Sequence, residues 1–133
     1  MSMRIILAIT VLVSLGLAPP GVLAASLDGS VPMLCALTEA RDCVAQGTCE
    51  RNPLPQGDTF WRVNVQQRVV STLDGKRSSP IGNVQRDNGL LLAQGMQNAR
   101  VWGLVLDEQT GQLSVTVADA DGALVLSGAC IAP

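Results

Sequence analysis

Apolar and polar residues alternate through much of the second half of the chain. In "FWRVNVQQRVVSTL", Trp61, Val63, Val65, Val69 and Leu73 fall on one parity, and Arg62, Asn64, Gln66, Arg68 and Thr72 fall on the other. A period of two is the signature of a half-buried strand, and Gln67 interrupts the apolar row where a bulge would fit. "SPIGNVQR", "LLLAQ", "ARVWGLVLD", "LSVTVA" and "ALVLSGAC" read as further strands. Between them stand Asp74-Gly75, Asp87-Asn88-Gly89, "GMQN", "DEQTGQ" and Asp121-Gly122, stretches whose Gly, Asn and Asp residues favour reversal. In "DEQTGQ", Gly111 is the position expected to need a positive φ. Pro80 is compatible with a strand only at its start or at a sheet edge. "ARVWGLVLD" is apolar on both parities, which predicts a strand covered on both faces or lining a closed barrel.

About six strands joined in order by tight turns predict a mainly β fold, an antiparallel meander over residues 59–133. Its apolar face must curl on itself or be covered, so a small barrel or a strongly bent sheet is expected. Residues 25–58 have a different composition, with three of the four cysteines and with Pro32, Pro53 and Pro55. They read as a cysteine-rich strap belonging to the same domain, with a short helix near Thr38–Gln46. Thr38 suits its cap, Glu39 its first turn and Gly47 a left-handed end.

The first 24 residues, "MSMRIILAITVLVSLGLAPPGVLA", have the pattern of a cleaved secretory signal. Arg4 is followed by an apolar run from Ile5 to Leu17, a Pro19-Pro20-Gly21 break and small residues at Ala24 and Ala25. That run is shorter than the roughly 20 residues of a spanning helix, so no stable membrane span is expected after cleavage. The expected location is periplasmic or secreted, and bacterial.

Export changes the meaning of the cysteines. In an oxidising compartment an even number reads as disulfides. Four cysteines allow three connectivities, and the favoured one pairs Cys43 with Cys49 and Cys35 with Cys130, because a chain reversing at Gly47 returns Cys49 onto Cys43. Joining Cys35 to Cys43 along a helix would span a rise of about 12 Å, too far for a bridge. The cysteine intervals of seven, five and eighty residues do not match the C-x₂₋₄-C pairs of zinc sites or the C-x-x-C of redox centres.

Charge and residue inventory then exclude function classes. Without Arg4 the chain carries 8 Lys/Arg against 11 Asp/Glu, interspersed, and no basic patch to hold a phosphate backbone. Nucleic acid is therefore not an expected partner. The aromatic residues are Phe60, Trp61 and Trp102, with no tyrosine, which is sparse for stacking bases or sugars. Histidine is absent, which removes Ser-His-Asp, Cys-His and imidazole-metal sites. Asp107-Glu108 and Asp119/Asp121 are the candidate carboxylate pairs, but they lie in turns, where Asp bonds local backbone. Asp119-Ala120-Asp121-Gly122 lacks the remaining ligands of a calcium loop. No catalytic residue, metal or cofactor is expected. Trp102 reads as core. Phe60 and Trp61 are expected on opposite faces, so Phe60, Trp61 and Arg62 form a candidate interaction surface.

"RVWGLVLDEQTGQLSVTVADADGALVLSGAC", preceded by "LLLAQG", resembles small exported, cysteine-containing proteobacterial proteins of unknown function. In these a Trp strand, a D-x-x-T-G-x-L hairpin and a terminal G-A-C follow a cysteine-rich beginning. The resemblance implies export and fold, and brings no catalytic residue with it. A second likeness is to the periplasmic lysozyme inhibitors, small disulfide-tied β-barrels whose inhibitory loop pairs Ser-Gly with a tyrosine. Ser127-Gly128 is present here and the tyrosine is not. The functional expectation is thus a non-enzymatic periplasmic binding or protein-interaction module, whose partner is a protein or small ligand of the cell envelope. The alternatives are an inhibitor of an envelope hydrolase, or a carrier of a small apolar ligand in a lumen lined from the Trp102 strand.

Overall fold

A computed structural model describes residues 25–54 and 56–133. The expected signal segment, residues 1–24, lies outside the described residues.

Ten strands form one antiparallel sheet: β1 (Met33–Val44), β2 (Cys49–Asn52), β3 (Phe60–Asn64), β4 (Val69–Thr72), β5 (Ser78–Pro80), β6 (Asn83–Asp87), β7 (Leu90–Gln97), β8 (Arg100–Asp107), β9 (Gln112–Ala118) and β10 (Gly122–Ile131). The spatial order is β5-β4-β3-β1-β10-β9-β8-β7-β6, with β2 attached beside β1. The two ends of that order, β5 and β6, are consecutive in the chain. The sheet curls until they meet, and the Gly82 N–H donates to the Gln94 carbonyl of β7 at 2.8 Å. The result is a curled, barrel-like antiparallel sheet, as the alternation predicts, but with ten strands where about six were expected. It is not a simple meander, because the cysteine-rich stretch supplies β1, inserted between β3 and β10, and β2.

The expected helix near Thr38–Gln46 is not formed; among the described residues there is no helix. β1 occupies most of that stretch as an interior strand of the sheet, paired with β10 from Leu34 to Val44 and also with β3 and β2. Leu37 and Ala40 are both buried although they are three positions apart. Thr38 is the extra residue of a bulge in the pairing with β10, which shifts the inward parity from odd to even and gives a strand a helix-like spacing. Gly47 does not adopt a positive φ. The expected disulfides nevertheless form, on different geometry: each joins residues directly opposite in a ladder, Cys35 with Cys130 across β1 and β10, and Cys43 with Cys49 across β1 and β2.

The single strand expected over residues 60–73 is two strands. Residues 65–68 reverse the chain, with Arg68 at φ 53°, and Asn64 Oδ1 accepts the Gln67 N–H at 3.0 Å. The inward positions change from Trp61 and Val63 in β3 to Val70 and Thr72 in β4, directly opposite them. Turns at Gly75 (φ 72°), Asn88-Gly89 (50° and 76°) and Gly111 (77°) fall where turn chemistry placed them. "GMQN" reverses the chain only at its last residue: β7 continues through Gly95 to Gln97, and the turn is Asn98-Ala99, at φ 52° and 59°. β8 is not covered on both faces either. Trp102, Leu104 and Leu106 point inward and are buried, while Val101 and Val105 stand exposed on the outer surface.

The interior has a direction. At one end Met33, Val63, Leu91, Leu106 and Leu113 are almost completely buried. Leu27 packs onto this core, and Gln66 Nε2 holds the segment before β1 by donating to the Ser30 carbonyl at 2.8 Å. Toward the other end the inward residues Trp61, Val70, Val117 and Leu124 are only partly buried.

Candidate functional site

The incompletely buried inward residues line a cavity of about 620 Å³ that opens at this second end. Its walls are apolar. Trp61 and Val70 come from β3 and β4, Trp102 and Leu104 from β8, Val115 and Val117 from β9, and Leu124 and Leu126 from β10. Period-two alternation explains the arrangement, since each strand sends every second side chain into the lumen. The walls end at a polar mouth formed by two hairpins and the segment before β3.

The β4–β5 hairpin carries Lys76 and Arg77 to that mouth. Thr72, one of the few buried polar residues, shapes it: its hydroxyl donates to Asp74 Oδ1 at 2.7 Å and accepts the Arg77 N–H at 3.2 Å. Asp74 also accepts the Lys76 N–H at 3.0 Å, and these bonds hold its carboxyl below the usual aspartate range. Asp58, ahead of β3, pairs with Arg77 across the mouth. From the β7–β8 hairpin come Gln97, Asn98 and Arg100. Gln97 Nε2 donates to the Ser78 carbonyl at 2.8 Å, and Trp102 Nε1 donates to Ser79 Oγ at 2.8 Å, so the two hairpins are tied together beside the opening.

The sequence-predicted surface Phe60, Trp61 and Arg62 is divided between the faces. Trp61 enters the lumen, whereas Phe60 and Arg62 are exposed on the outside, with Phe60 next to the exposed Leu73. Ser127 and Gly128 lie within β10, paired with both β1 and β9, and not on a projecting loop. The carboxylate pairs are engaged locally. Asp107 accepts the Gln109 and Thr110 N–H groups at 2.8 and 2.9 Å, and these donors lower its pKa. Glu108 accepts both Arg86 Nε (2.5 Å) and Nη2 (2.6 Å), and the guanidinium holds its carboxyl below the usual glutamate value. Asp119 accepts the Asp121 and Gly122 N–H groups and faces Arg100 at 3.4 Å. No cluster of metal-ligating side chains occurs among the described residues.

Apolar periodicity points to a lumen lined from the Trp102 strand, but nothing in it identifies the residues of the mouth. Lys76 and Arg77 are separated from Arg100 by three strands, β5, β6 and β7, and no local motif joins them. The one signal is that both hairpin turns carrying them are basic, which becomes a site only when the sheet curls. Comparisons with family models, with curated proteins and with solved structures find no match to this chain.

Proposed function

We propose that the protein is an exported, non-catalytic binding module that holds a small apolar or amphipathic ligand in the lumen of its curled sheet. One observation carries this reading: the inward side chains at the open end are apolar yet remain partly accessible, leaving a cavity of about 620 Å³ between Trp61 and Trp102. Small-molecule sites are mostly apolar concavities of about 300–1,000 Å³ with a few placed polar groups. A sheet evolved only to be solid would fill the same space with larger side chains, since packed interiors leave few voids. The two disulfides are compatible with an oxidising location, and the signal-like first residues supply the route of export.

Both tryptophans line the lumen and the chain has no tyrosine, so intrinsic fluorescence reports on the cavity walls. Titration with the neutral dye N-phenyl-1-naphthylamine is expected to enhance dye emission and quench tryptophan emission at micromolar concentrations. Val117→Lys places an ammonium at a half-buried lumen position and is expected to remove both responses while near-native circular dichroism persists. Absence of any dye response in the unaltered protein would overturn the reading.

The second reading, a protein-interaction surface, is favoured by the exposed pair Phe60 and Leu73 beside Arg62. Its test is Phe60→Ser with Leu73→Ser. Loss of a captured envelope partner with unchanged dye binding would assign recognition to the outer face. The inhibitor alternative draws no support from Ser127-Gly128, which the β10 ladder holds on both sides.

A further inference from the structure

We infer that the ligand is a single-chain amphiphile of the fatty-acid class, seated with its chain against the apolar walls and its carboxylate at the mouth. This rests on the apolar-lumen reading and adds the chemistry of the head group. Charge and its placement point to an anion. The chain as a whole carries a formal charge of −2, yet the residues lining the cavity include the cations Lys76, Arg77 and Arg100 against the single carboxylate Asp58. Asp58 is taken up by Arg77, and Lys76 makes no salt bridge among the described residues. Arg100 faces Asp119 at 3.4 Å, and the Arg100 side chain remains 60% exposed, free to turn toward an anion at the opening. Asp74 lies beside Lys76 on the same hairpin and Asp119 beside Arg100, so the attraction for an anion is local, carried by the cationic donors within reach of the opening and not by the net charge of the rim.

The walls set the rest of the molecule. Trp102, Leu124 and Val117 offer no free hydrogen-bonding group to the lumen, because the Trp102 N–H is already given to Ser79, which leaves the Trp61 indole N–H as a donor on an otherwise apolar wall. A polar body would be desolvated there with only that donor in compensation, whereas an alkyl chain loses nothing. The charged groups are confined to one end, so the ligand's charge must also be at one end. The volume admits one acyl chain and is too small for a two-chain phospholipid.

The test compares dodecanoate, dodecanol and dodecyltrimethylammonium, all of one chain length and used below their micellar concentrations at neutral pH, as displacers of N-phenyl-1-naphthylamine. Dodecanoate is expected to bind tighter than dodecyltrimethylammonium by roughly three- to thirtyfold, the range of two solvent-exposed charge contacts. Raising the salt toward 1 M shortens the screening length to about 3 Å and is expected to shrink that ratio toward one. Lys76→Glu with Arg100→Glu is expected to abolish or invert the preference. Arg51→Glu with Arg62→Glu, the same change in net charge made away from the mouth, is expected to preserve it. Equal binding of the three ligands, or a preference unaltered by the mouth substitutions, overturns the inference and leaves the apolar lumen standing. If no ligand displaces the dye because the dye itself does not bind, the inference and the lumen reading fail together.

Discussion

The indole of Trp102 donates its Nε1–H to Ser79 Oγ at 2.8 Å, a bond that joins β8 to the opposite end of the sheet order. Because β5 is one terminus of that order, this bond and the Gly82–Gln94 contact help to turn an open curled sheet into an enclosure. The same indole is a wall of the cavity, so closure of the sheet and shape of the site depend on one side chain.

Ser79→Ala leaves that indole N–H without its acceptor. Orphaning a buried donor costs about 1–3 kcal/mol, and the open mouth lets water replace the serine, which places the expected loss near 1 kcal/mol. Urea unfolding of Ser79→Ala, Trp102→Phe and the double variant measures it. Because both single changes break the same bond, the double variant should be less destabilised than the sum of the two, and additive losses would show that the bond contributes nothing.

Gly95 and Gly103 should respond oppositely to alanine. Gly95 sits across the β7–β8 ladder from Trp102, and a Cβ there would meet the Pro80 carbonyl and lie 2.6 Å from the indole Cζ2. Gly95→Ala is therefore expected to cost about 1–3 kcal/mol by overpacking, and to loosen the junction of β5 with β7. Gly103 has nothing within 4 Å of a built Cβ and lies on the outer surface of β8, so Gly103→Ala is expected to be neutral or to stabilise by about 0.5–1 kcal/mol. Thermal melts of the two variants decide it.

The two disulfides should differ in accessibility and in weight. Cys35 and Cys130 are almost fully buried, whereas Cys49 is exposed at the β1–β2 hairpin. Brief treatment with a mild reductant followed by alkylation is expected to label Cys43 and Cys49 first. Chain entropy assigns about 2 kcal/mol to closing the small loop and about 4–5 kcal/mol to the one spanning 95 positions. Cys43→Ala with Cys49→Ala should accordingly leave a folded protein that has lost the β2 attachment. Cys35→Ala with Cys130→Ala should shift the unfolding midpoint far more.

Stability should be flat from about pH 6 to 8 and fall in acid, because the chain has no histidine and its perturbed carboxylates are all lowered. For Glu108 the sign follows from Arg86, whose two hydrogen bonds favour the charged carboxylate in the folded state. A group whose folded pKa lies below its unfolded one stabilises above the unfolded value of about 4.3, and loses that contribution as the pH falls through the folded value. Melting temperature measured from pH 7 to pH 3 should decline below about pH 5, and Glu108→Gln should make the decline shallower.

Several elements are legible in the sequence, and the reasons are local. Asp74-Gly75, Asn88-Gly89 and Gly111 announce turns because their residues tolerate the positive φ that the structure shows there. Other turns are hidden for equally local reasons. Ala99, at φ 59°, is not a residue that advertises a left-handed turn, while Gly95 has the look of a turn glycine and is instead the bare patch on which the Trp102 ring rests. Thr38 hides β1: one extra residue moves Ala40 into phase with Leu37 at a helical spacing, and only pairing with β10 reveals it as a bulge.

By itself, then, the sequence determined the antiparallel β class and most reversals, because alternation and turn propensity act over a few residues, whereas the cysteine pairs follow from the ladders that set Cys35 opposite Cys130 and Cys43 opposite Cys49. The tertiary structure alone decided that β1 lies between β3 and β10, that the two ends of the sheet come together, and that Lys76, Arg77 and Arg100 share one mouth above Trp61 and Trp102. These depend on how far a sheet curls, and curl is set by bulges, by Gly95 and by contacts between residues far apart in the chain, none of which leaves a periodic trace along it.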